Sequence, residues 1–344
     1  MTTNPDTGRI LGVDLDAVAR RLSELGTEVA PPLTGHRVGL GQSNLTYRIE
    51  DAGGRCWVLR RPPIGHLLES AHDVAREYRI LGALAGTDVP VPHVLGLVGD
   101  GADQLVMEYV DGLVIDRMDA AAFLPHQVRA GVGPSLARTL AALHAVDVEE
   151  AGLLDLASHR PYAERQLRRW ERQLDGSRTR ELPDLDRLTT RLLRCVPEQR
   201  ELVLVHGDLH IRNVICSPWT GEVRAVLDWE LSTLGDPLAD LGTLLAYWWQ
   251  EGEAPPGFFA ASALDGFAGR DELVATYLDA TGRDRAALGF WHVLAMWKIA
   301  IIAEGIRHRA LDEPRNAAEG GPPSTLAIDQ LIGQAWELVR HYRL

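Results

Sequence analysis

The stretch "LVHGDLHIRNV" (residues 204–214) decides how this chain is read. Directly after an apolar run it places His206, Asp208, His210 and Arg212 within seven residues. Alternate residues of a strand share a face, so His206, Asp208 and His210 could point one way and bind a metal. The same groups could form a catalytic loop, or simply close a strand with polar side chains. The rest of the chain separates these readings.

At 344 residues the chain is long enough for two lobes and a sizeable core. Apolar residues make up 46% and charged residues 24%, the balance of a soluble globular protein. A formal net charge of −13 argues against broad binding to nucleic acid or to an anionic membrane, since both need a basic face. The three cysteines, Cys56, Cys195 and Cys216, are few and far apart. They suggest neither a disulfide framework nor a metal knuckle, and a reducing cytoplasm is expected. The N-terminus lacks the charged start and apolar core of a signal peptide. The most apolar run, "FWHVLAMWKIAIIA" (290–303), is interrupted by His292 and Lys298 and reads as a buried helix rather than a membrane span.

The order of elements is informative. After a short amphipathic helix at 14–25, residues 36–61 are strand-like, with "DAGG" (51–54) as the turn of a hairpin between "LTYRIE" and "RCWVLRR". "SAHDVAREYRILGAL" (70–84) follows as a helix with Val74, Tyr78, Leu81 and Leu84 on one face. "QLVMEYV" (104–110) is a further strand and "DGLVID" (111–116) a hinge. Beyond it, helices are predicted at about 122–146, 161–174, 184–195, 238–249, 271–279, 287–309 and 325–341. Short strands interrupt them only within 202–228. The class is α+β: a small antiparallel β-rich N-lobe over 1–110 and a large α-helical C-lobe over 111–344.

Within that frame the opening stretch fits the pattern H-x-D-L-x-x-x-N, with Gly207 where Arg is usual. An Asp at a strand end can accept the proton of a substrate hydroxyl, which makes Asp208 the candidate base. An Asn five residues on, Asn213, can turn back and offer a neutral oxygen to Mg²⁺ beside nucleotide phosphates. Asp228, at the end of the apolar "AVL", is placed like the metal-binding Asp of a DFG triplet. The metal-cage alternative built on His206, Asp208 and His210, a metallohydrolase, leaves Asn213 and Asp228 without a role. Asp236 and Asp240 in "LGDPLADLGTLL" either orient the catalytic loop or cap the next helix.

The N-lobe is then expected to hold ATP. "GLGQSN" (39–44) supplies Gly41, Gln42, Ser43 and Asn44 as a loop over the phosphates, although Asn44 stands in for a third Gly. A strand follows it, not a helix, so a dinucleotide-binding βαβ unit is rejected. "WVLRR" offers Arg60 or Arg61 where a kinase carries Lys. Arg60 keeps the spacing and is preferred, with Glu77 as its partner. Glu108 to Val110 would meet adenine through the backbone.

These residues resemble the aminoglycoside phosphotransferase family, small-molecule kinases of the protein-kinase-like fold. "HGDLHIRNV" and "VLDWE…GDPLADL" are similar to its catalytic and metal-binding segments. "GLGQSNLTYRI", "WVLRRPPIGHLLESAHDVAREYRIL", "VMEYVDG" and "KIAIIAEGIRHR" resemble a bacterial subgroup similar to the kinase-like domain fused to some animal acyl-CoA dehydrogenases. The resemblance spans roughly residues 30–310 and implies a bilobal fold with ATP- and Mg²⁺-dependent phosphorylation of a small-molecule hydroxyl. It leaves the acceptor open, with a hydroxyacyl-CoA or hydroxy acid as the specific expectation. Arg60 in place of Lys also keeps open a nucleotide-binding regulatory module without transfer.

Overall fold

The computed structural model of the chain describes residues 10–39, 44–63, 74–99, 101–313 and 321–344. Two compact units emerge: Met1–Asp111 together with Arg224–Glu230, and Gly112–Val223 together with Leu231–Leu344. The first unit therefore takes in a seven-residue segment that a linear division of the sequence gives to the C-lobe.

In the first unit, helix α1 (Leu15–Glu24) opens on Asp14, whose carboxylate accepts the Ala17 N–H at 3.0 Å. Five strands follow: β1 (Thr34–Val38), β2 (Leu45–Glu50), β3 (Cys56–Arg61), β4 (Val94–Val98) and β5 (Gln104–Glu108). They form one sheet in the order β1-β2-β3-β5-β4, every neighbouring pair antiparallel. The β2–β3 turn is the one expected from "DAGG". The Asp51 carboxylate accepts from Gly53 N–H and Arg55 N–H, each at 2.9 Å, and Gly54 takes φ 83°.

The pleat of β3 sorts its side chains. Trp57 and Leu59 enter a core with Ile49, Val106, Val98, Leu22 and Leu33. Arg60 faces the other side, where helix α2 (Val74–Leu84) carries Glu77. Burying a Leu or Ile side chain of this kind contributes about 1.5–3 kcal/mol. Helix α2 buries Val74, Glu77, Ile80, Leu81 and Leu84, while Tyr78, expected inside, is exposed. Its inner stripe is turned by about one residue, because Glu77 has a cation to meet and Tyr78 does not. Residues 70–73 of the predicted helix lie outside the described residues.

The second unit is built from helices His126–Leu143, Tyr162–Asp175, Pro183–Arg194, Pro237–Tyr247, Arg270–Thr281, Leu288–Asp312 and Thr325–Tyr342. All seven occupy the predicted positions within a few residues. Helix Leu288–Asp312 is longer than its apolar run suggested, and by length and composition alone it could cross a membrane. Yet 83% of its apolar window is buried inside the protein, which is the setting of a core helix. It packs closely against Pro237–Tyr247, where a Cβ on Gly242 would sit 2.6 Å from the Trp291 carbonyl carbon. Trp248, Trp249, Trp291 and Trp297 are all buried here as packing. The three-residue strand Thr233–Gly235, which pairs antiparallel with Val203–Val205, has no counterpart in the sequence reading.

Candidate active site

The chemistry-bearing residues form two clusters, one in each unit. In the first, Arg60 is the centre. Its Nε lies 3.1 Å from Glu77 Oε2, and its Nη2 lies 2.6 Å from Asp228 Oδ1 and 3.8 Å from Glu230 Oε2. Arg61, the other candidate cation, lies on the core side of β3, and its Nη1 donates to the Leu11 carbonyl at 2.7 Å. The choice between the two arginines is thus made by the pleat.

Asp228 has φ 68°, a left-handed conformation that is uncommon for residues other than Gly, Asn and Asp. Such backbone is held only where its surroundings enforce it, commonly at working sites. One guanidinium meets three carboxylates, Glu77, Asp228 and Glu230, and Arg76 donates to the Glu230 carbonyl at 3.4 Å. Burial drives the Glu77 carboxyl up, to about 7; Arg60 opposes this, while Asp228 and Glu230 push it further. Burial would weaken the Arg60 cation, but the same three carboxylates more than compensate and hold its pKa above the ordinary value. Asn44 is buried, and its Nδ2 donates to Glu230 Oε2 at 3.4 Å while its Oδ1 has no partner among the described residues. Gly41, Gln42 and Ser43 lie outside the described residues. Glu108 ends β5 exposed, with its N–H donating to the His93 carbonyl at 2.8 Å, and Val110 is half-buried just beyond.

The second cluster is the stretch 204–214. Gly207 takes φ 84°, and a Cβ there would lie 2.9 Å from the Leu231 carbonyl oxygen. Gly is therefore demanded twice over at the position where the motif usually has Arg. Asp240 accepts the main-chain N–H of His206 at 2.6 Å and of Gly207 at 2.8 Å. It orients the loop, while Asp236 caps the helix by accepting from Leu238 N–H at 2.9 Å. Burial opposes the charge on Asp240, but His144, His206 and the Gly207 N–H outweigh it and hold the carboxyl below the ordinary carboxylate value. His144 is a satisfied core residue, with Nδ1 2.8 Å from the Tyr277 hydroxyl.

Asp208 is partly exposed. Burial would raise its pKa, but His210, Lys298 and His206 together hold it below the ordinary value, so it is ionised at neutral pH. The Asn213 Nδ2 donates to the Asp208 carbonyl at 2.9 Å, which fixes the loop and leaves Asn213 Oδ1 as an acceptor. Asn213 Oδ1 in the second unit and the Asp228 carboxylate in the first are each, taken singly, hard oxygen donors of the kind Mg²⁺ takes.

The imidazoles have other duties. His206 is buried and its Nδ1 accepts the Asp208 N–H at 3.3 Å. His210 Nδ1 accepts the Arg212 N–H at 3.2 Å, placing its other nitrogen 3.6 Å from Asp208 Oδ2. Among the described residues no group of three or more His, Cys, Asp or Glu is disposed to hold a metal ion. His206 and His210 support the loop.

The model of the phosphotransferase enzyme family matches residues 34–291. The chain belongs to that family. Acyl-CoA dehydrogenase family member 10 of Mus musculus is 38% identical over 246 residues, which are 70% of this chain and 23% of that protein. The chain thus spans only about a quarter of that relative's length. A solved structure, a putative aminoglycoside phosphotransferase from Ralstonia eutropha, is 30% identical with a TM-score of 0.77 over 95% of this chain and 98% of that one. The streptomycin–ATP ternary complex of APH(2")-IIa shares the fold at 15% identity, with a TM-score of 0.57 over 88% of this phosphotransferase and 94% of that chain. The kinase-like α+β fold expected from the sequence is the one this family member adopts.

Two site residues escaped the sequence reading. Glu230 joins the Arg60 cluster, and its signal was its place two residues after Asp228 in "DWE". Lys298 donates to the Gly207 carbonyl at 3.2 Å. Its signal was a single cation inside an otherwise apolar helix.

Proposed function

We propose that this phosphotransferase moves the γ-phosphate of ATP to a hydroxyl group of a small molecule. The observation that carries the reading is Asp208, kept ionised on a loop whose main chain is pinned by Asp240 and whose amide Asn213 presents an open oxygen. Asp208 accepts the acceptor's hydroxyl proton as the new bond to phosphorus forms, a role typically worth about 10²–10⁴ in rate. Asn213 and Asp228 would hold Mg²⁺, which when bound neutralises charge on the phosphate oxygens. Arg60, braced by Glu77, grips phosphate with its planar fork, and Gly41, Gln42, Ser43 and Asn44 cover it. Glu108 and Val110 offer main-chain groups to adenine.

For the acceptor, the likeness to a longer acyl-CoA dehydrogenase relative favours a hydroxyacyl thioester or hydroxy acid over an antibiotic. The test is ADP release in the presence of Mg·ATP, screened against hydroxyacyl-CoAs, hydroxy acids, aminoglycosides and amino alcohols. Release above the acceptor-free rate with one class identifies it. Nucleotide binding with no release for any class would favour a regulatory module. That second reading draws on the Arg60–Asp228 pair, which ties up one oxygen of a proposed metal ligand.

A further inference from the structure

Lys298 is a cation that packing does not explain. It interrupts helix Leu288–Asp312 where Met296, Trp297, Ile299, Ala300 and Ile301 are all buried. A Met or Leu would fill that helix position without the cost of withdrawing a charge from water. Among the described residues Nζ makes no direct ion pair with a carboxylate. The ammonium donates to the Gly207 carbonyl at 3.2 Å and sits 5.3 Å from the centre of the Trp170 ring. An ammonium has three N–H donors, and one of them has an acceptor here.

The acceptor it has chosen is informative. The Gly207 carbonyl belongs to the peptide that leads into Asp208. Lys298 is therefore anchored beside the candidate base, with two donors left for an incoming group. Like Asp208, it is only partly buried. Burial weakens the cation, Asp208 and Asp240 restore part of it, and Arg169 opposes them. A compact charge with donors to spare, bonded to the peptide that leads into the candidate base, matches an anion that is present only during the reaction.

We propose that Lys298 is a catalytic residue of this phosphotransferase, donating hydrogen bonds to the phosphoryl group while it passes to the acceptor. The inference rests on the transfer reading above. In the step, the bond from phosphorus to the acceptor oxygen forms and the bond from phosphorus to the β–γ bridging oxygen breaks. The acceptor proton goes to Asp208, ADP leaves with the electron pair, and Lys298 keeps its three protons. A cation placed where charge is redistributed stabilises the transition state more than the ground state.

The test needs no knowledge of the acceptor. Affinity of the full chain for Mg·ADP is measured by calorimetry with and without aluminium fluoride, a planar mimic of the phosphoryl group in flight. Mimics of this kind bind about 10² or more tighter than ground-state ligands. Wild type is expected to gain at least about tenfold from aluminium fluoride. Lys298→Met is expected to bind Mg·ADP within about twofold of wild type, to lose that gain, and to melt no lower than wild type. Lys298→Arg should recover part of the gain. If Lys298→Met does not fold, Lys298→Gln and Lys298→Arg decide on the same readout. A gain retained within about twofold in the uncharged variant, or a wild type that binds Mg·ADP without any gain, overturns the role of Lys298 alone. Failure of wild type to bind Mg·ADP overturns the transfer reading and this inference with it.

Discussion

Arg60 and Asp228, 168 positions apart in the chain, meet at 2.6 Å, and the carboxylate that receives the guanidinium stands on left-handed backbone. The same guanidinium reaches Glu77 and Glu230. Arg suits this place because its five donors spread over a fork, which Lys cannot copy. Arg60→Lys should weaken Mg·ATP binding about fivefold or more and destabilise the fold by about 1–3 kcal/mol. Calorimetry and thermal unfolding check the two effects. Unchanged values for both would mean that Arg60 is a replaceable surface cation.

Asp208→Asn keeps the shape of the loop and removes the proton acceptor. Turnover on the true acceptor should fall by about 10²–10⁴, with Mg·ATP affinity within about twofold of wild type. Because neighbouring groups hold Asp208 below the ordinary carboxylate value, wild-type kcat/KM should show no ionisation of Asp208 between pH 5 and 8. Full turnover by the variant would remove Asp208 from the chemistry.

Glu77 predicts a pH dependence of stability. Its folded-state value, about 7, lies above the ordinary 4.5, so the folded protein holds this proton more tightly than the unfolded chain. The stabilisation is complete below pH 4.5 and is lost as pH rises through 7. Asp236, raised by burial to about 6, acts in the same direction. Glu77→Gln should therefore flatten the decline in urea midpoint between pH 5 and 8 without abolishing it. A variant with the wild-type slope would show that Glu77 is already ionised across that range.

Asp240→Ala strips two buried main-chain N–H groups of a charged acceptor. The expected loss is about 3–5 kcal/mol of stability, read from denaturant unfolding. kcat should drop at least about tenfold, while the KM for nucleotide moves less, since the damage falls on the loop that carries Asp208. Asp240→Asn, which retains one acceptor oxygen, should lie between the two.

The shape of the loop at 206–213 was legible because its logic is local. His206, Asp208 and Asn213 are separated by only a few residues, and the bonds that shape the loop run among them. The long helices were legible from their periodicity. Helix α2 shows where that signal ends. Hydrophobic spacing chose Tyr78 for the interior, whereas pairing with Arg60 across the sheet chose Glu77. Lys298 stood out as a cation in an apolar run, but its place at the loop was not legible for the same reason, since its partner Gly207 is 91 positions away. Thr233–Gly235 is too short for any alternation to register.

The first unit has a gap in it: Arg224–Glu230 belongs with Met1–Asp111. During synthesis, Arg60 and Glu77 leave the ribosome long before their acid partners Asp228 and Glu230 exist. The five strands can pair early, but the charge cluster has to wait until translation has passed residue 230. A fragment stopped at residue 111 would lack the acids that bracket Arg60. The unit that comes first in the sequence is thus completed only when about two thirds of the chain has been made.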